Sequence, residues 1–256
     1  MKNLKEGRRS GAFPALLWLL TGVLASGAIA VAAANRPPTS SSPSLSRARS
    51  RSADASAFEA DKGILRITVN GQKVGKEEFE IAPDGANWIA HGTTEIQSEK
   101  GATHVTGTLV LRPDGTPIHY EWSTQGAKKA SAKVDFNGPT ATSELHVGAA
   151  RPFTQQFTFP SPRVAVLDNN LYDQYAVLAH LYDWNKKGSQ TFPVLVPQEL
   201  TPGSATVESL GKQEVDGKKL EELRVTTEDN DIDLYLDGSR LVRITVPSAN
   251  AEIVRE

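Results

Sequence analysis

From Lys62 onward the chain alternates apolar and polar residues with a period of two, in short runs rich in Val, Ile, Thr, Phe, Tyr and Trp. Turn pairs break the runs: Asn70-Gly71, Asp84-Gly85, Asp114-Gly115, Asn137-Gly138, Asp216-Gly217 and Asp237-Gly238, with weaker Lys100-Gly101 and Gln125-Gly126. Asn-Gly and Asp-Gly accept the positive φ angles of type I′ turns, whose twist matches that of the flanking strands, so successive strands are expected to pair antiparallel. The pattern predicts strands over 63–70, 73–81, 87–98, 102–112, 117–124, 130–136, 140–147, 152–159, 190–197, 204–215 and 219–227, with a final hairpin over 231–247. In that hairpin Ile232, Leu234 and Leu236 share one face, answered by Leu241 or Val242, Ile244 and Val246. Such strands bury one face and wet the other.

One stretch departs from this rhythm. Between Asp168 and Gly188, Leu171, Tyr175, Leu178 and Tyr182 recur at spacings of four, three and four, the mark of a buried stripe on one helix face. A helix is predicted over 169–186. Asp168, Asn169 and Asn170 are the expected caps of its first turn, Lys186 and Lys187 suit the negative end of its dipole, and Gly188 is its expected left-handed stop.

The fold class that follows is mainly β: one large, curved, antiparallel up-and-down sheet, half-barrel or barrel-like, with the helix on the concave face. A flat sheet of that size would expose its apolar face and long edges. The alternative is a two-layer sandwich with the helix at one end.

The N-terminus obeys different rules. Residues 2–9 are basic and residues 12–34 carry no charge. Small residues at Ala28-Ile29-Ala30 and Ala32-Ala33-Ala34 suit signal peptidase, and the run is also long enough to stay as a membrane anchor. Residues 1–34 are thus expected to be a signal peptide or anchor, placing the rest in the periplasm or outside the cell, or tethered to the cytoplasmic membrane by residues 12–34. Residues 35–57 are rich in Pro, Ser and Arg and are expected to form a disordered linker, with a single β domain over 58–256.

Charge and composition narrow the function. The chain has a formal net charge of -2, but residues 1–34 and 35–56 carry +3 each, leaving -8 for residues 57–256. So acidic a body lacks the concentrated basic surface that nucleic acid requires. With no cysteine, disulfides, thiolate chemistry, cysteine zinc sites and an acylated lipoprotein anchor are excluded. No Walker loop, dinucleotide fingerprint, Gly-x-Ser-x-Gly elbow or His-Glu-x-x-His is present, so no cofactor is expected. Asp229-Asn-Asp-Ile-Asp233 has the alternating acids of a calcium loop, but Leu234 stands where Gly is needed and Arg240 where Glu is needed; it is read as the polar face of a strand. The scattered His91, His104, His119, His146 and His180 predict no metal site.

Two sets of residues remain as candidates. Tyr172, Tyr175, Tyr182, Trp184 and Trp122, with His180, are the expected lining of a pocket for an apolar ligand, since aromatic rings offer flat area with a polar tip. His180 with Asp173 or Asp183 is the alternative, a His-carboxylate pair for general acid-base hydrolysis.

Gly71-Gln-Lys-Val-Gly-Lys-Glu-Glu-Phe-Glu-Ile81, Pro162-Arg-Val-Ala-Val-Leu-Asp-Asn-Asn170, Phe192-Pro-Val-Leu-Val-Pro-Gln198 and Ile232-Asp-Leu-Tyr-Leu-Asp237 resemble segments of uncharacterised exported bacterial β-proteins. The resemblance implies architecture and location. At the level of fold, the pattern is also similar to periplasmic lipoprotein carriers, whose half-closed barrels hold an apolar cavity beneath helices. The expected function is non-catalytic binding of a lipid-like ligand or an envelope protein. An assembly or scaffold role through an edge strand is a further alternative.

Overall fold

A computed structural model describes residues 56–98, 101–126, 129–186 and 188–256. The expected signal peptide or anchor (1–34) and nearly all of the expected linker (35–57) lie outside them, as do Lys100 and Lys187. Fifteen strands form one sheet: β1 (Asp61–Val69), β2 (Gln72–Asp84), β3 (Asn87–Ser98), β4 (Gly101–Leu111), β5 (Pro117–Gln125), β6 (Ala130–Asn137), β7 (Thr140–Val147), β8 (Phe153–Thr158), β9 (Ala165–Val166), β10 (Gln190–Val196), β11 (Thr201–Val215), β12 (Lys218–Thr226), β13 (Asp231–Asp237), β14 (Arg240–Val246) and β15 (Ala251–Arg255). Helix α1 (Asp173–Leu181) lies between β9 and β10. The mainly β, mostly antiparallel architecture read from the alternation is the one found.

The type I′ geometry expected of the Asn-Gly and Asp-Gly pairs forms at two of them, and three others turn differently. Asn70-Gly71 and Asp216-Gly217 carry positive φ at both residues, as type I′ turns require. At Gly85, Gly138 and Gly238 the glycine is the first of two loop residues and alone has positive φ, the type II′ arrangement. In the last hairpin a bulge between Tyr235 and Leu236 sets Leu236 opposite Leu241. Leu241, not Val242, therefore joins Ile244 and Val246 in the core.

The sheet runs β8-β7-β6-β5-β4-β3-β2-β1-β15-β14-β13-β12-β11-β10-β9, with only the β9–β10 pair parallel. Two strands escape the sequence pattern, the two-residue β9 and the closing β15. The latter joins the halves by pairing antiparallel with β1, Leu65 opposite Arg255. Arg255 reinforces that seam: its Nη1 and Nη2 donate to Asp61 Oδ2 and Oδ1 at 2.8 and 2.7 Å, and its guanidinium lies 5.3 Å from the Phe79 ring centre.

Curvature can be read from one contact. β5 and β9 are eleven strands apart in the sheet, about 53 Å in a flat sheet at 4.8 Å per strand. Yet Tyr120 Oη on β5 donates to Asp168 Oδ2, two residues beyond β9, at 2.9 Å. The sheet therefore curls until its two halves meet around the segment that leads into α1. It stays open, because β8 and β9 do not pair.

Wrapping explains where the helix differs from its sequence pattern. Seven of its nine residues are buried, Asp173 and Gln174 among them, so it is enclosed on nearly all sides rather than along one stripe. Leu171, Leu178 and Tyr182 are buried as the stripe predicts, and Tyr175 is half-buried. The helix is shorter than 169–186 because Asn170 takes a left-handed φ of 63°, which breaks the helical path before Asp173. At the other end Tyr182 is extended, six residues before Gly188. No helix among the described residues is long and apolar enough to cross a membrane.

Candidate functional site

Strand parity sends an acidic residue inside. On β2, Phe79 and Ile81 face the interior, and Glu77 shares their face with no measurable exposure. The next inward row crosses the sheet as Phe79, Gly92, Gly107, Trp122, Ala132, Leu145 and Phe153. Its two adjacent glycines leave a hollow, and the entry to α1 fills it. A Cβ on Gly92 would lie 2.5 Å from Glu77 Oε1 and 2.7 Å from Asp173 Oδ1; one on Gly107 would lie 2.5 Å from Leu171 Cδ1.

Glu77 takes over the capping expected of Asp168, Asn169 and Asn170. Tyr172 N–H donates to its Oε2 at 2.8 Å and Asp173 N–H to its Oε1 at 3.3 Å, while the helix has no side-chain cap of its own. These amides are among the four that any helix leaves unpaired at its start. The cap thus comes from a strand about a hundred residues earlier in the chain.

Two carboxyl groups converge over Gly92, and both are buried. Burial, followed by the charge of Asp173, holds the Glu77 carboxyl well above the usual range, and burial also raises Asp173. A proton on Glu77, donated to Asp173, reconciles the pair: it removes one buried charge and satisfies Asp173 Oδ1, which otherwise has no hydrogen-bond partner. The remaining charge sits at the positive end of the helix. Thr94, opposite Glu77 on β3, also keeps a buried hydroxyl without a partner.

A second buried group adjoins the first. Asp168 N–H donates to Gln174 Oε1, Gln174 Nε2 donates to Tyr120 Oη at 3.1 Å, and Tyr120 Oη donates to Asp168 Oδ2, closing a ring of bonds. Asp168 Oδ1 accepts from the Gln198 amide at 2.9 Å. Burial pushes the Asp168 carboxyl up to about 7 in spite of these donors. Tyr120→Phe is expected to cost about 1–3 kcal/mol, because it leaves Gln174 and Asp168 each short of a buried partner; urea unfolding at pH 6 measures it.

The six residues expected to line a pocket are spread over several places, with Tyr182 and Trp184 in contact. Tyr172 is buried beside Glu77. Burial pushes the Tyr175 phenol up to about 12. Tyr182 donates to the Gly188 carbonyl at 3.1 Å and meets Trp184 edge-on at 5.0 Å, and Trp184 is 46% exposed. His180 packs edge-on against Phe58 at 5.8 Å, and burial lowers its pKa. Trp122 lies across the sheet beside the glycine pair, its indole nitrogen buried and without a partner.

Nor does His180 join a carboxylate as the catalytic alternative expects. Asp173 is turned to Glu77, and Asp183 accepts from the Asn185 amide at 3.0 Å within its own turn. The acids that influence His180 are Glu59 and Asp61. His91, His104, His119 and His146 all face outward on β3, β4, β5 and β7. His119 bonds Asp135 at 2.7 Å and Glu121 at 3.0 Å through opposite sides of its ring; partial burial opposes its protonation, but these two carboxylates raise its pKa. Among the described residues no three His, Asp or Glu side chains are placed to hold a metal. Asp233 lies on the polar face of β13, salt-bridged to Arg224 at 2.8 Å.

The surface of the described residues includes two open grooves that α1 does not line. One of about 320 Å³ is lined by residues including Thr68, Val246 and Asn250. The other, of about 360 Å³, follows the outward cross-strand row Thr106, Ser123, Ser131 and His146.

The two ends of the sheet differ. β9 is short and buried. β8, Phe-Thr-Gln-Gln-Phe-Thr, has no charged residue and no proline, and Phe153 is 52% exposed with Val147 of β7 at 41% nearby. Edge strands usually carry such residues to block further pairing. The sequence reading missed both Glu77 and β8 as features, although parity with Phe79 and Ile81 marks the first and an uncharged strand marks the second. Comparison with models of known protein families, with curated proteins and with solved structures finds no match.

Proposed function

We propose that this domain is a non-catalytic binding protein of the cell envelope that takes an extended protein strand on its β8 edge. The observation that carries this reading is the uncharged, open strand with an exposed phenylalanine at its start. Backbone bonds to an edge supply affinity in such complexes, and side-chain pockets supply selectivity. The basic residues 2–9 and the apolar run 12–34 support a place outside the cytoplasm or on its membrane. An apolar small molecule placed under α1, over Gly92 and Gly107, would have to displace the side chains of Leu171 and Asp173.

Hydrogen exchange on the full chain tests the reading. The amides of Thr154, Gln156 and Thr158 should exchange slowly in envelope membranes and fast in dilute, extracted protein; equal, fast exchange in both removes the proposal. Phe153→Lys should abolish the protection and leave the thermal midpoint within a few degrees, since surface substitutions generally change stability by about 0.5 kcal/mol or less.

A further inference from the structure

Resting on the edge reading above, we propose that the occupant of β8 is a second copy of β8, paired antiparallel about a two-fold axis at Gln155. The phase of the strand is set by Phe159 N–H, which donates to Pro139 O at 2.8 Å in continuation of the β7–β8 register. Antiparallel pairs alternate between bonded and non-bonded positions. The odd-numbered amides of β8 therefore turn to β7, and those of Thr154, Gln156 and Thr158 turn to the open side.

The inward face of β8 reads the same in both directions, Phe153, Gln155, Phe157. Only a two-fold register centred on Gln155 uses that symmetry in full. It sets Phe153 against the partner's Phe157, Phe157 against the partner's Phe153, and the two Gln155 side chains against each other. It also meets the backbone phase: Thr154 N–H reaches the partner's Gln156 carbonyl and Gln156 N–H the partner's Thr154 carbonyl, with the same bonds returned. Thr158 N–H then faces the carbonyl of the partner's Pro152, and Pro152, with no N–H, ends the ladder.

Charge is compatible with this seam although the domain is acidic. On the outward face the row crossing it runs Glu144, Thr154, the partner's Gln156 and the partner's Thr142, so no like charges meet. An isologous contact of this kind closes on itself and uses up the edge, giving a dimer rather than a filament.

The absence of cysteine makes the register directly testable. Gln155→Cys in the full chain, in envelope membranes under mild oxidation, should give a disulfide-linked dimer, because residues opposite each other at a non-bonded site have Cα atoms about 4.5 Å apart. Thr158→Cys should not cross-link, since the two positions 158 are six residues out of register, roughly 20 Å. Gln156→Pro removes an outward amide without touching β7 and should reduce the dimer fraction at least tenfold in native mass spectrometry. Cross-linking at 158 but not at 155, or a monomer at every concentration with no cross-link at 155, overturns the self-pairing. If the Thr154, Gln156 and Thr158 amides are still protected in membranes of that monomer, the edge is taken by a strand of another protein. If they are not, the edge reading falls as well.

Discussion

Glu77→Ala is expected to cost about 3–5 kcal/mol of folding stability, the range for leaving a buried charge without its partner. The loss has three sources: the Tyr172 and Asp173 amides lose their acceptor, Asp173 loses the proton that Glu77 carries, and a cavity opens beneath the helix. Urea unfolding at pH 6 measures it, and a change below 1 kcal/mol would show that Glu77 does not cap α1. Glu77→Gln separates the charge from the shape. Its amide oxygen still accepts from Tyr172 N–H and its NH2 group still donates to Asp173, at the expense of the longer bond from Asp173 N–H, so stability near pH 5 should fall by much less than in Glu77→Ala.

The two variants should then part as pH changes. Glu77, Asp173 and Asp168 all have native pKa values raised by burial, Asp168 to about 7. Unfolding returns them to roughly 4, so between these values the native state binds more protons than the unfolded one. Stability from these groups is complete below about pH 4 and is lost as pH rises through their native values. Unfolding free energy in the parent should therefore fall from about pH 5 to pH 8. Glu77→Gln should fall less steeply, and an equal slope in the two proteins would contradict the shared proton.

Gly92→Ala is the second large expected effect, about 2–3 kcal/mol, at the upper end of the cost of overpacking a filled core. Here the added methyl meets two pinned oxygens, Glu77 Oε1 at 2.5 Å and Asp173 Oδ1 at 2.7 Å, rather than the free end of a side chain. Because it presses on the carboxyl pair, it should also change the pH slope described for Glu77. The same substitution at Gly203, where no atom lies within 4 Å, is the control and should move the thermal midpoint by no more than a few degrees.

The strands were legible because a half-buried sheet writes its pattern locally: each inward residue and each Gly turn is visible within a few positions. Helix α1 was legible only in existence. Its caps were sought in Asp168, Asn169 and Asn170, the nearest acceptors in sequence, whereas folding supplied Glu77 from β2. Its face was read as a stripe, whereas the curled sheet covers Asp173 and Gln174 as well. The aromatic residues were grouped by their nearness on the chain, and the helix and the loop after it separate Tyr172, His180 and Trp184. β15 is five residues with two clear inward positions, Ala251 and Ile253, too short a run to stand out without its partner β1.

That partnership governs the order in which the domain can be assembled. Asp61 and Arg255 clasp each other across 194 residues, so the β1–β8 half must persist with β1 unpaired on its outer side until the last strand has been made and delivered. Strand pairings so distant in sequence form slowly, and waiting edges are prone to associate wrongly. The slow step of folding should be the β1–β15 closure, so a variant that weakens the Asp61–Arg255 clasp should refold more slowly than its loss of stability alone would require.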